Sequence, residues 1–291
     1  MSQKILITGT SGGFGKLAVN TLLAKGHTVV ASMRGTEGKN KASADELRAA
    51  GAHVVEMDVI NDESVNKGVE QAIALAGGLD VLVNNAGVGV IGLQETFTPE
   101  DWQRVFEVNV FGVQRVNRAV IPHFRSQQSG LLIHVSSLLG RMTLPFYGPY
   151  NATKWALEAM AENYRVELSG FGIDSCIVEP GGFATSFMDN LFRPSDDSRN
   201  EGYGEMANAP QQLLEGFEQA LASNPAQDPQ NVADAIVDLA EAPAGQRPMR
   251  TVVDNMGMGD HIKGYNDQLE QIMHGIYGAF DMGDMLKVKT S

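Results

Sequence analysis

Short apolar runs alternate along this chain with stretches of helical periodicity, and that alternation leaves few folds open. The runs are Ile5–Ile7, His27–Met33, His53–Met57, Leu79–Val83, Gly130–Val135, Ile173–Val178 and Thr251–Val253. They are continuous rather than alternating polar with apolar, so each strand is expected to be buried on both faces. Between them, apolar residues recur at helical spacing, as with Leu17, Ala18, Thr21 and Leu22, or Val65, Val69 and Ile73. Strand–helix–strand repetition of this kind predicts an α/β fold: a doubly wound parallel sheet of about seven strands, flanked by helices on both faces.

Local punctuation supports the reading. Gly26 ends the first helix, and Thr98 before Pro99 is an N-cap followed by proline at the first helical position. From Thr98 the helical pattern runs to about Arg125, with a bend near Gly112, and Pro149 opens another helix reaching about Gly170. No repeat and no linker divides the chain, so residues 1–291 are read as one domain. The stretch 189–230 is rich in Asp, Asn, Pro, Ser and Gln, with one helical piece near Gln211–Leu221. It follows the sixth strand, where α/β folds place ligand-covering loops, and is expected to be a substrate-covering lid. The methionine-rich extension 257–291 is expected to contain an amphipathic helix packing on the body or on another subunit.

Charge and cysteine content narrow the chemistry. Lys and Arg number 22 against 35 Asp and Glu, a net charge of −13. Such a chain repels nucleic acid and anionic membrane, and a phosphate-bearing ligand has to be held by a local device. The apolar runs are too short to span a bilayer, and Met1–Lys4 leads into the first strand without a signal-like apolar region. Cys176 is the single cysteine, which excludes an intrachain disulfide and suits a reducing cytoplasm. The six histidines show no metal-ligating spacing, so no metal site is expected.

The local device is Thr8-Gly-Thr-Ser-Gly-Gly-Phe-Gly15, between the first strand and the first helix. Gly9, Gly13 and Gly15 let the backbone turn sharply and approach a pyrophosphate, with Ser11 and Phe14 in the same turn. The helix N-terminus then offers free N–H groups to the anion. At the tip of the second strand an acid would bind the ribose 2′-OH of NAD, whereas an arginine suits the 2′-phosphate of NADP. Here the chain reads Ala31-Ser-Met-Arg34, which points to NADP(H). Asp58, closing the third strand, is a candidate for the adenine amino group or an ordinary cap.

Tyr150 and Lys154 stand at i and i+4 on one helix face, so the ammonium can lower the pKa of the phenol. They occur in order with Asn84-Asn-Ala-Gly87 after strand four, Asn109 in the long helix, Ser137 after strand five, and Pro180-Gly181 with Thr185 after strand six. Together with the TGxxxGxG turn, these residues resemble the short-chain dehydrogenase/reductase superfamily in its single-domain branch, over roughly Lys4–Leu239. The resemblance implies a Rossmann-type fold in which Tyr150 is the general acid or base. It implies that Lys154 holds the nicotinamide ribose, that Ser137 polarises the substrate oxygen, and that Asn109 positions a relay water. Asn85, Ala86 and Gly87 would support the ribose. Pro180, Gly181, Phe183 and Thr185 would shape the nicotinamide site. Val88, Leu139, Leu144, Phe146, Tyr147, Phe187 and Met188 are the expected substrate pocket, mostly apolar.

The expected activity is therefore NADPH-dependent reduction of a hydrophobic ketone or aldehyde in the cytoplasm, and the resemblance alone implies a homo-oligomer assembled through the Asp101–Arg125 and Pro149–Gly170 helices. Alcohol oxidation by the same residues is the alternative, and a non-catalytic dinucleotide-binding regulator is a third reading. Ser136 and His134 are read as structural, and Cys176 as a buried, inert thiol.

Overall fold

The computed structural model describes residues 2–290. Seven parallel strands form one sheet in the order β3-β2-β1-β4-β5-β6-β7. They are β1 (Lys4–Thr8), β2 (Thr28–Met33), β3 (His53–Glu56), β4 (Val81–Asn84), β5 (Gly130–Val135), β6 (Ile173–Pro180) and β7 (Arg250–Val253). Period-two alternation splits each apolar run between two cores. Ile5, Ile7, Val29, Ala31, Val81, Val83, Leu131 and Ile133 face one side. Leu6, Val30, Leu82 and Leu132 face the other. Both sides are dry, which is why none of these strands shows a polar face.

Helices cover both cores. On the first side lie α1 (Gly13–Ala24), α2 (Lys41–Ala49) and α9 (Gln230–Glu241), contributing Ala18, Leu22, Leu47, Val232 and Ile236. On the second lie α3 (Asp62–Ala76), α5 (Val113–Gln127) and the far end of α6 (Gly148–Leu168), contributing Val65, Val69, Val120, Phe124 and Leu168. The expected N-cap at Thr98 is a full capping box with Asp101, opening α4 (Pro99–Phe106). The expected bend at Gly112 is a π-helical turn over Glu107–Gly112, joining α4 to α5. A Cβ at Gly112 would come within 2.9 Å of Val59, so a bare backbone is needed where this turn crosses the loop after β3.

One helix was absent from the sequence reading, and the helix expected in the C-terminal extension is present. Helix α9 was not anticipated, although Val232, Ile236 and Val237 recur at helical spacing and are buried. The C-terminal helix α10 (Gly259–Ala279) packs through Ile262 and Asn266 only near its start, while Ile272, Ile276 and Phe280 are exposed. No described helix is long and apolar enough to cross a membrane.

Candidate active site

Strand order reverses about β1, whose neighbours β2 and β4 lead to opposite halves of the sheet. Ligands bind at such a switch point, beyond the carboxyl ends of the strands. A cavity of about 780 Å³ opens there. Its walls include Gly9, Ser11, Gly13, Phe14, Arg34, Asp58, Asn85, Ala86, Gly87 and Val88. They continue through Ser137, Leu139, Leu144, Tyr147, Tyr150, Lys154, Pro180, Gly181, Phe183, Thr185, Phe187 and Met188. Residues widely separated in sequence are thus brought to one groove.

One end of the groove is a backbone cradle. A Cβ at Gly9, where φ is +72°, would stand 2.7 Å from Ala86 Cα. The N-terminus of α1 has no side-chain cap and no acid in its first turn. Its N–H groups therefore have the anion-binding character that a pyrophosphate requires, and the residues present fit a dinucleotide. Asn85 locks the floor by donating from Nδ2 to the carbonyls of Thr8 and Gly9, at 2.9 and 3.0 Å. Gly15 does not line the groove: a Cβ there would lie 2.6 Å from Gly9 O. The bare backbone at Gly15 lets α1 pack closely beneath the loop. Phe14 meets Phe183 edge to face, with ring centroids 5.5 Å apart.

At the far end, the loop after β2 is pinned by Glu56, whose carboxylate accepts from Gly35 N, Thr36 N and Thr36 Oγ1, each at 2.7 Å. Asn40 Nδ2 donates to Arg34 O at 2.6 Å. Arg34 is thereby held at the groove, about half exposed, with Nη1 3.8 Å from Asp58 Oδ2. Asp58 Oδ1 also accepts from Ile60 N at 3.3 Å, the capping role weighed for it above. Lys39 lines the same end and was missed, since nothing in the spacing places it beside Arg34.

Ser137, Tyr150 and Lys154 meet at the other end. Ser137 Oγ accepts from Leu139 N at 3.1 Å, which orients the hydroxyl. Burial pushes the Tyr150 phenol above its ordinary pKa, and contact with the Ser137 hydroxyl opposes that shift. Lys154 Nζ lies 5.5 Å from the Tyr150 ring centroid and donates to Val135 O at 2.8 Å. Burial lowers its pKa to about 8. Asn109, on the π turn, does not line the cavity. Its Oδ1 accepts from Val88 N at 2.9 Å, and its Nδ2 donates to Val88 O and Thr153 Oγ1 at 2.8 and 3.0 Å. The side chain thereby ties the loop after β4 to α6.

The substrate wall differs from expectation at one residue. Phe146, at φ +71°, does not line the cavity; its turn presents Leu144 and Tyr147 instead. Phe192, Leu213 and Phe217 line it from the 189–230 segment, together with Arg104. A short helix α7 (Ser186–Asp189) leads into the segment, which contains α8 (Ala209–Ala222). Phe187 stacks toward Tyr150 at 5.8 Å between centroids, and the Arg104 guanidinium lies 4.0 Å over the Phe192 ring. Phe192 and Phe217 were hidden by the polar composition around them. His134 and Cys176 are fully buried as expected: burial takes the His134 pKa down to about 3 and pushes the Cys176 thiol up to about 12.

An uncapped helix at a sheet switch point, with a Ser–Tyr–Lys set further along the same groove, defines an oxidoreductase that works with a nicotinamide dinucleotide. Comparison with known proteins specifies the family. Residues 3–196 match the short chain dehydrogenase family, and the chain belongs to it. It is 38% identical over 203 residues to the 3-ketodihydrosphingosine reductase of Bacteroides thetaiotaomicron, covering 70% of this chain and 72% of that one. It is 34% identical over 243 residues to human retinol dehydrogenase 8, covering 81% and 77% respectively. A short-chain dehydrogenase from Streptomyces avermitilis superposes with a TM-score of 0.75 at 28% identity, covering 97% of this chain and 99% of that one.

Proposed function

We propose that this protein reduces an apolar ketone or aldehyde at the expense of NADPH. The observation that carries the reading is the convergence of Ser137, Tyr150 and Lys154 on one end of a groove whose other end carries Arg34 and Lys39. Gly9, Gly13, Asn85, Lys154 and Thr185 would hold the dinucleotide, with Arg34 and Lys39 on its 2′-phosphate. When bound, the nicotinamide supplies a hydride to the carbonyl carbon. Ser137 donates a hydrogen bond to the carbonyl oxygen, where negative charge develops. Tyr150 delivers its proton to that oxygen, and Lys154⁺ stabilises the phenolate left behind. Asn109 keeps the Val88 loop and α6 in register for this geometry.

The wall of Val88, Leu139, Leu144, Tyr147, Phe187, Met188, Phe192 and Phe217 suits an apolar substrate body. The relatives named for a ketosphinganine and for retinol are consistent with such a substrate. We read 189–230 as a lid over the groove, and place the protein in a reducing cytoplasm on the strength of its one buried thiol. Exposed Phe111 and Trp155 sit on the segments expected to join a homo-oligomer. The test is a screen of long-chain and aromatic ketones and aldehydes with NADPH and NADH in parallel. NADPH oxidation coupled to alcohol formation is expected. Exclusive alcohol oxidation with NAD, or no turnover with any substrate, would overturn the reading.

A further inference from the structure

Tyr150, Lys154, Glu158 and Glu162 recur every four residues along α6 and so form one stripe. Lys154 is 6% exposed, and among the described residues no carboxylate lies within 4.0 Å of its ammonium. A buried charge without a counter-charge is costly, so its compensation has to come from further away. One turn on, Glu158 is 2% exposed and enters a buried ionic cluster. Its Oε2 is 3.1 Å from Arg141 Nη2 and 3.2 Å from Arg250 Nε. Arg141, from the turn after Ser137, also reaches Glu162 Oε1 at 2.7 Å and Glu179 Oε1 at 3.4 Å. Arg250 of β7 pairs with Glu162 and Glu179 as well. Asn266 of α10 closes the cluster, donating to Glu179 Oε2 at 2.6 Å.

Three carboxyl groups therefore share two guanidiniums; burial raises the pKa of all three, so the third negative charge, unmatched within the cluster, develops only toward alkaline pH. Adding Lys154⁺ balances the set. We propose that Glu158 is a positioning residue whose carboxylate, held in the Arg141–Arg250–Glu162–Glu179 cluster, supplies the counter-charge that keeps Lys154 protonated and so sets the alkaline limit of the reaction. The inference rests on the reductase reading above.

Lys154 is faced by Tyr150 and Glu158 on its own helix and by His134 of β5. With its pKa near 3, His134 is neutral and contributes no charge. Glu158 is faced by Arg141, Arg250, Glu162 and Glu179. Burial pulls Lys154 down and the Glu158 charge opposes it. Burial and Glu179 hold Glu158 above the ordinary carboxylate range, with Arg141 opposing. Because its pKa is raised, Glu158 gains its charge only as pH rises above neutrality, over the range in which Lys154, with its pKa near 8, would otherwise lose its proton. The Asn266 bond gives the C-terminal helix a place in the same arrangement.

The experiment is Glu158→Gln, which keeps shape and removes charge. The alkaline limb of the kcat/KM profile should move about one pH unit toward acid, the size expected of a single nearby charge. Activity should be near wild type at the acid end and about tenfold lower beyond the new limb. A packing role alone would lower activity equally at every pH and leave the limb in place, and that result overturns the proposal. Charge-conserving Glu158→Gln with Arg250→Gln should restore the limb. If Glu158→Gln does not fold, Glu162→Gln, at a position 22% exposed, removes the same unit of charge and should shift the limb in the same direction by less. An unmoved limb in that variant also overturns it. The pH dependence of NADPH binding, followed by nucleotide fluorescence, reports the Lys154 proton without turnover. Absence of any carbonyl reduction by wild type would sink the reductase reading, while the binding profile would still decide the role of Glu158.

Discussion

Replacing Arg34 by alanine should remove most of the discrimination between NADPH and NADH. The guanidinium is presented by a loop already ordered by three bonds to Glu56 and one from Asn40, so little entropy is lost when it meets an anion. A charge-assisted bond to phosphate contributes about 1.5–3 kcal/mol. Arg34 is 49% exposed and has Asp58 3.8 Å away, so solvent screening and the competing carboxylate favour the lower end. A loss of about 1.5 kcal/mol corresponds to roughly tenfold in affinity. Arg34→Ala should therefore weaken NADPH about tenfold and leave NADH nearly unchanged. The Arg34→Ala/Lys39→Ala double variant should weaken NADPH further, because Lys39 lines the same end of the groove. Kd values from fluorescence titration and kcat/KM for both cofactors measure the effect. An equal loss for NADPH and NADH would show that Arg34 does not read the 2′-phosphate. Wild-type parity between the cofactors would refute the NADP assignment itself.

Tyr150→Phe should cut turnover by at least about a hundredfold with little change in cofactor binding, whereas Tyr147→Phe should be mild; retention of more than about a tenth of wild-type turnover by Tyr150→Phe would remove it as the general acid. Gly15→Ala sets a Cβ 2.6 Å from Gly9 O and should abolish dinucleotide binding or lower the melting temperature, as calorimetry with and without cofactor would show; an unperturbed variant would contradict the packing role. For segment 189–230, hydrogen exchange should slow when NADPH and substrate are added together, most of all near Phe192 and Phe217, and equal exchange in both states would exclude a lid.

Features set by local physics were legible in the chain itself. Continuous apolar runs required a sheet covered on both faces, because no strand had a polar side to give to water. The glycine turn before α1 and the i, i+4 spacing of Tyr150 and Lys154 follow from backbone sterics and helix period, and the structure places them together in the groove. What the chain did not disclose is the direction in which each side chain faces across long sequence separations. Gly15 belongs to the underside of the loop because Gly9 and Asn85 pack against it, and Phe146 leaves the cavity because its backbone turns left-handed. Asn109 is spent on Val88 and Thr153 because a π turn aims it there. The ionic cluster behind Lys154 draws Arg141, Glu158, Glu179 and Arg250 from four separate parts of the chain. Nothing in their spacing links its members, and only the packing of α6 against β6, with Arg250 reaching in from β7, takes them out of water and makes their balance matter.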